Sequence, residues 1–196
     1  MKNVISQSQI KVIIIPGNGG ATMDDHWFPF VISEFARHGV AVVAKNYPDS
    51  FLARRQYWLP FIEDVLKADE STILIGHSSG AEAAMRYAED HRILGSVLVS
   101  PCHTDMGNPG ETISGWYDGE WKWEKIKNNQ NFIIQFSSRD DPIVPIDEQD
   151  FVRNQLQLEY HEFADRGHFI GVTLFPELVD AVMENIKKLG LDRRNS

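Results

Sequence analysis

Ser71-Thr-Ile-Leu-Ile75, Gly76-His-Ser-Ser-Gly80 and Ala81-Glu-Ala-Ala-Met-Arg-Tyr-Ala88 follow one another directly and read as strand, sharp turn and helix. The turn carries G-x-S-x-G spacing around Ser78. Strand and helix backbones nearly touch across so tight a turn, so the residues two before and two after the serine have no room for a Cβ. Gly76 and Gly80 meet that need, and the pattern predicts an exposed Ser78 on strained backbone at a nucleophile elbow. Composition alone produces the spacing in about one chain in twenty of this length. The reading therefore rests on the buried strand that enters and the helix that leaves.

Outward from this turn, further apolar runs read as strands at Lys11 to Ile15, Gly39 to Lys45, Ile93 to Ser100, Asn131 to Phe136 and Leu158 to Phe163. Helical stretches fall between them at Trp27 to Arg37, Leu52 to Lys67, Ala81 to Glu89, Trp121 to Lys127, Asp147 to Leu156 and Phe175 to Lys188. Alternation of this kind predicts an α/β protein with a mostly parallel sheet flanked by helices on both faces. Val12-Ile-Ile-Ile15 and Ser96-Val-Leu-Val99 lack polar alternation, as strands covered on both sides do. In such sheets chemistry collects at the strands' carboxyl ends.

The chain has 196 residues, 42% apolar and 24% charged, which suits one globular domain over 1–196 with flexible ends at 1–9 and 190–196. A net charge of −9 with scattered basic residues argues against nucleic acid as a partner. Met1 to Ile10 is too polar for a signal peptide, and no apolar run reaches membrane-spanning length. The lone Cys102 permits no internal disulfide. These features together predict a cytoplasmic protein with no membrane partner.

A serine hydroxyl needs a base, and that base needs a carboxylate to hold its tautomer. Of seven histidines, His168 lies in Ala164-Asp-Arg-Gly-His-Phe-Ile170, after the last readable strand and before the last helix. The order Ser, acid, His then asks for an acid on the loop after the preceding strand. Phe136-Ser-Ser-Arg-Asp-Asp-Pro-Ile-Val-Pro145 occupies that place. Pro142 biases Asp141 toward extended backbone and favours it over Asp140, which reads as a turn residue. Asp165 is the fallback. Backbone amides of Asn18, in the glycine-rich Pro16-Gly-Asn-Gly-Gly20, and of Ser79 are the candidate oxyanion donors. The Pro16 to Gly20 loop lacks the spacings of a phosphate cradle.

Between Gly110 and Lys127 the chain gathers Trp116, Tyr117, Trp121 and Trp123. With His77 from the elbow, Trp116, Tyr117 and Trp121 are candidate pocket residues; core packing accounts for the tryptophans equally well.

Pro16-Gly-Asn-Gly-Gly20, Ala44-Lys-Asn46, Trp58-Leu-Pro-Phe61, Ile75-Gly-His-Ser-Ser-Gly-Ala81, Ala84-Met-Arg-Tyr-Ala-Glu89, Trp123-Glu-Lys-Ile-Lys127, Asp140-Asp-Pro142 and Gly167-His-Phe169 span nearly the whole chain. In these motifs it resembles the small serine hydrolases related to retinoblastoma-binding protein nine. The resemblance implies an α/β-hydrolase fold with minimal or no cap and cleavage of small carboxylic esters or amides. It also implies Ser78, Asp141 and His168 as a catalytic triad, with no metal and no cofactor. Where the pocket-binding family member carries L-x-C-x-E, this chain has Leu66-Lys-Ala-Asp-Glu70, with Ala68 in place of the cysteine. Retinoblastoma-protein binding is therefore not expected, and a small-molecule substrate is. The alternative is a binding protein that keeps the fold without turnover.

Overall fold

Strands built from unbroken β-branched runs must be covered on both faces, and the element order supplies that cover. The computed structural model describes residues 9–191. Its strands are β1 (Lys11–Ile15), β2 (Ala41–Val43), β3 (Thr72–His77), β4 (Gly95–Val99), β5 (Phe132–Ser138) and β6 (Glu159–Phe163). They form one sheet in the order β2-β1-β3-β4-β5-β6, every neighbouring pair parallel. The chain steps outward from β1 to β2, then returns past β1 to lay down β3 through β6. The order reverses between β1 and β3, and in such sheets a crevice opens at the carboxyl ends beside that switch.

Helices α1 (Phe28–Arg37) and α7 (Pro176–Lys188) cover one face, where Trp27, Phe28, Phe35, Leu178 and Val182 join the inward side chains of the sheet. The other face is covered by α2 (Arg55–Pro60), α3 (Ser79–Ala88), α5 (Trp123–Asn128) and α6 (Ile146–Leu156). Trp58, Met85, Ile126, Val152 and Leu156 supply the packing there. This is the α/β-hydrolase arrangement expected from the alternating runs. No helix among the described residues is long and apolar enough to cross a membrane.

Local chemistry moves several boundaries. The edge strand β2 is only three residues long, because pairing with β1 ends at Ile13↔Val43. The helix expected from Leu52 starts at Arg55. Ala53 stands at φ 49°, and Asp49 draws in both the Arg54 amide (3.1 Å) and its guanidinium (2.8 Å). Pro60 then removes an amide hydrogen, and the following turn, Phe61–Val65, widens to π-helix with the Leu66 amide donating to the Phe61 carbonyl at 3.0 Å. A short helix, α4 (Pro109–Ser114), was not anticipated from the periodicity. Asn108 caps it by accepting from the Gly110 amide at 2.9 Å, with Pro109 at its start. The expected flexible ends fall outside the described residues, except for 9, 190 and 191.

Candidate active site

Ser78 sits between β3 and α3 with φ 53° and ψ −125°, a backbone region that costs an L-residue about 1–3 kcal/mol. The turn is held by the Ser78 amide, which donates to the Val99 carbonyl at 2.9 Å, so the neighbouring strand β4 fixes the elbow's height. A Cβ on Gly76 would overlap the backbone of Gly80 and Ala81, and one on Gly80 would overlap the carbonyls of Ile15 and Pro16. Both glycines are thus required by backbone contact, which is the physical content of the G-x-S-x-G spacing.

The carboxyl ends of β5 and β6 bring the other two groups together. His168 Nδ1 lies 2.9 Å and 3.0 Å from the two carboxylate oxygens of Asp141, with both side chains almost wholly buried. Burial acts to raise the Asp141 carboxyl. The His168 ring and the amides of Val144 and Ile143 outweigh it and hold the group below its ordinary value of 3.8. Asp141 is therefore an acceptor at neutral pH, so Nδ1 carries the hydrogen and Nε2 is left free to accept. Asp141 Oδ1 also accepts the amides of Ile143 and Val144, each at 2.9 Å, as the turn at Pro142 allows.

Three supporting residues were not given these roles by the sequence. Gln149, fully buried on α6, donates to Asp141 Oδ2 at 3.2 Å and to the Val144 carbonyl at 2.9 Å. Asp140 accepts from Ser138 Oγ (2.7 Å) and from the Gly167 amide (2.8 Å), so it clasps the histidine loop to the acid loop. His77 Nε2 lies 2.8 Å from the His168 carbonyl oxygen. Burial, with the nearby His168 ring, pulls His77 down to about 3, so it is neutral and donates through Nε2. Asp165 makes no contact with His168 in the described hydrogen bonds.

An open cavity unites these parts, with Gly17, Asn18, His77, Ser78, Ser79 and His168 in its wall. The hydrogen bonds among the described residues do not join Ser78 to His168 directly; such bonds commonly tighten only when substrate is bound. The amide of Ser79 opens α3 and so has no acceptor within its helix. Asn18 is steadied from outside, because its side-chain amide donates to Glu111 Oε1 on α4 at 2.7 Å. On the same wall, burial, reinforced by Glu111, raises the Glu82 carboxyl well above its ordinary value.

The aromatic candidates separate. Tyr117 lines the cavity, with its hydroxyl 3.0 Å from Cys102 Sγ. Trp116 is fully buried in the core between α2 and α3 and does not reach the cavity wall. Trp121 lies 3.7 Å over the guanidinium of Arg86 and donates from Nε1 to the His103 carbonyl at 2.9 Å, away from the cavity. Arg86 explains this. It is paired with Glu89 at 2.7 Å in the interior and donates to the carbonyls of Trp116 and Glu120, drawing the whole segment inward. Among the described residues no group of three or more His, Cys, Asp or Glu could hold a metal ion.

Comparison with known proteins identifies the family. A family model described as serine hydrolase matches residues 12–178. Serine hydrolase RBBP9 of Rattus norvegicus is 47% identical over 177 residues, covering 89% of this chain and 95% of the rat protein. The crystal structure of the ydeN gene product from B. subtilis superposes with a TM-score of 0.83 at 25% identity, covering 91% of this chain and 99% of that one. With a family model over most of its length and a relative nearly half identical, the chain belongs to the serine hydrolase family.

Proposed function

We propose that the protein hydrolyses small carboxylic esters or amides through an acyl-enzyme on Ser78, with Asp141 and His168 completing the triad. The observation that carries this reading is the buried Asp141–His168 pair, 2.9 Å apart, opening on the same cavity as the elbow serine. Ser78 Oγ adds to the substrate carbonyl while His168 Nε2 takes its proton. The carbonyl electron pair moves to oxygen, where the amides of Asn18 and Ser79 receive it. The C–O or C–N bond then breaks, and the leaving group departs with the proton from His168. Water, deprotonated by the same ring, adds to the acyl-enzyme and releases the acid, and Ser78 recovers its proton.

The retinoblastoma protein is not part of this reading. Besides Ala68 in place of cysteine, Leu66 is 3% exposed and packs into the core, so that segment is not free to be grasped as an extended peptide.

A fluorophosphonate probe tests the reading. Wild type labels covalently and Ser78→Ala does not, and kcat for a short p-nitrophenyl ester falls about a millionfold in the variant. Labelling that survives Ser78→Ala, or a loss of only about tenfold, assigns the chemistry to another group. Absence of labelling in wild type favours a binding protein.

A further inference from the structure

The cavity wall is chemically divided according to which element supplies it. Ile143 and Val144 come from the acid loop and Ile170 from the histidine loop; Ile143 is 50% exposed and Ile170 47%. Half-exposed isoleucines beside a cavity are apolar surface that an incoming group can cover. The other part of the wall carries most of the polar side chains, with Ala21 and Met106 among them. Glu82 comes from α3, Cys102 follows β4, and Glu111 and Tyr117 belong to the segment that carries α4. Glu82 is 1% exposed and accepts from the Cys102 amide at 2.8 Å. Burial pushes its carboxyl well above the ordinary value, which favours the protonated form, and a protonated carboxyl can donate a hydrogen bond to an uncharged group.

The proposed chemistry orients these two parts. The leaving group takes its proton from His168, so it must lie within reach of that ring. Ile170 is two residues from His168 and Ile143 two from Asp141, which sets the apolar shelf beside the departing group. The acyl group stays bonded to Ser78. It is left the region along the first turn of α3, where Glu82 follows Ser79 by three residues and faces the same side.

We infer that the preferred substrate joins a short, hydrogen-bonding acyl group, seated toward Glu82, Tyr117 and Cys102, to an apolar leaving group resting on Ile143 and Ile170. The inference depends on the roles proposed for Ser78 and His168. It selects esters whose alcohol is the greasy half.

Two constitutional isomers test this. Hexyl hydroxyacetate and 2-hydroxyethyl hexanoate have the same atoms and differ in which side of the ester is apolar. With each kcat/KM divided by the isomer's own alkaline hydrolysis rate, hexyl hydroxyacetate is favoured about tenfold or more, the discrimination a few methylenes supply. Ile143→Ser and Ile170→Ser each lower that ratio by about fivefold, roughly half an isoleucine side chain's worth of apolar contact. Ile170→Leu, which keeps the apolar surface, retains the ratio, and thermal unfolding verifies that each variant is folded. A ratio near one or reversed in wild type overturns the orientation, as does a ratio unmoved by both serine substitutions. Hydrolysis of neither isomer above the Ser78→Ala background rejects the triad reading, and the orientation falls with it.

Discussion

Asp141→Asn isolates the step by which a carboxylate fixes the histidine. The two oxygens of Asp141 are not equivalent. Oδ1 accepts the amides of Ile143 and Val144, both at 2.9 Å, and lies 3.0 Å from His168 Nδ1, while Oδ2 meets His168 Nδ1 at 2.9 Å and Gln149 Nε2 at 3.2 Å. Asparagine has one acceptor oxygen. The two backbone amides cannot turn away, so that oxygen stays at the Oδ1 position and the NH₂ takes the place of Oδ2. Gln149 can match the new N–H by turning its unpartnered Oε1 toward it only at the loss of its bond to the Val144 carbonyl. His168 Nδ1 then keeps only the shared Oδ1 as an acceptor, at 3.0 Å, and meets an N–H at the Oδ2 position, which favours moving its hydrogen to Nε2 and so losing the acceptor that the proposed mechanism uses as base.

The loss of charge adds to the loss of tautomer. An imidazolium and a carboxylate with centres about 4 Å apart attract by about 4 kcal/mol at an effective dielectric of about 20. That alone is about a thousandfold in rate. With the tautomer reversed, kcat falls by about 10³–10⁴, the upper figure matching the same substitution in serine proteases. KM stays within about threefold, because Asp141 is shielded from substrate by the ring it holds. Initial rates on p-nitrophenyl acetate measure this directly. A loss under about tenfold, with fluorophosphonate labelling at the wild-type rate, would refute the assignment of Asp141. The depressed carboxyl binds its proton more weakly folded than unfolded, so its contribution to stability is present above about pH 4 and fades as pH falls through the folded value. The wild-type advantage in Tm over Asp141→Asn accordingly holds above about pH 4 and shrinks as pH falls below it.

Two further substitutions probe the frame around Ser78. Gly80→Ala sets a Cβ against the carbonyls of Ile15 and Pro16, backbone that cannot swing aside, and is expected to cost at least about 3 kcal/mol in urea unfolding; wild-type stability in this variant would remove the steric account of the elbow. For Glu82 the sign is opposite to that of Asp141. Its raised carboxyl holds a proton more tightly folded than unfolded, so the stability it contributes is full below its unfolded value of 4.5 and is lost as pH rises toward the folded value. Glu82→Gln therefore flattens the decline in unfolding free energy as pH rises above about 4.5, and equal slopes in the two proteins would contradict the raised carboxyl.

The sheet was legible because its inner strands are buried on both faces, which leaves runs such as Ile73-Leu-Ile75 and Val97-Leu-Val99 with no polar interruption. The elbow was legible because backbone contact leaves no alternative to glycine at 76 and 80. Asp141 and His168 could be ordered along the chain, since loops after β5 and β6 must emerge at the same edge as Ser78. What the chain order could not convey is contact across it. Helix α4 has six residues and no apolar face, so only its Asn108-Pro109 start distinguishes it from loop. Trp116 and Trp121 look alike as pocket or core until Arg86, some thirty residues earlier, is seen gathering the carbonyls beside them. In sequence His77 reads as a pocket residue, Asp140 as a turn residue and Gln149 as one more helix residue. Their work is to hold His168 and Asp141, and it exists only where the loops meet.

The most direct test of the account is the crystal structure of the protein after reaction with a small alkyl fluorophosphonate, whose tetrahedral phosphorus mimics the intermediate of acyl transfer. The account predicts phosphorus bonded to Ser78 Oγ and the phosphoryl oxygen within about 3 Å of the amides of Asn18 and Ser79. It also predicts the His168 ring, still held by Asp141, within hydrogen-bond reach of Ser78 Oγ. Phosphorus on another residue, or a phosphoryl oxygen turned away from both amides with His168 out of reach, would contradict it.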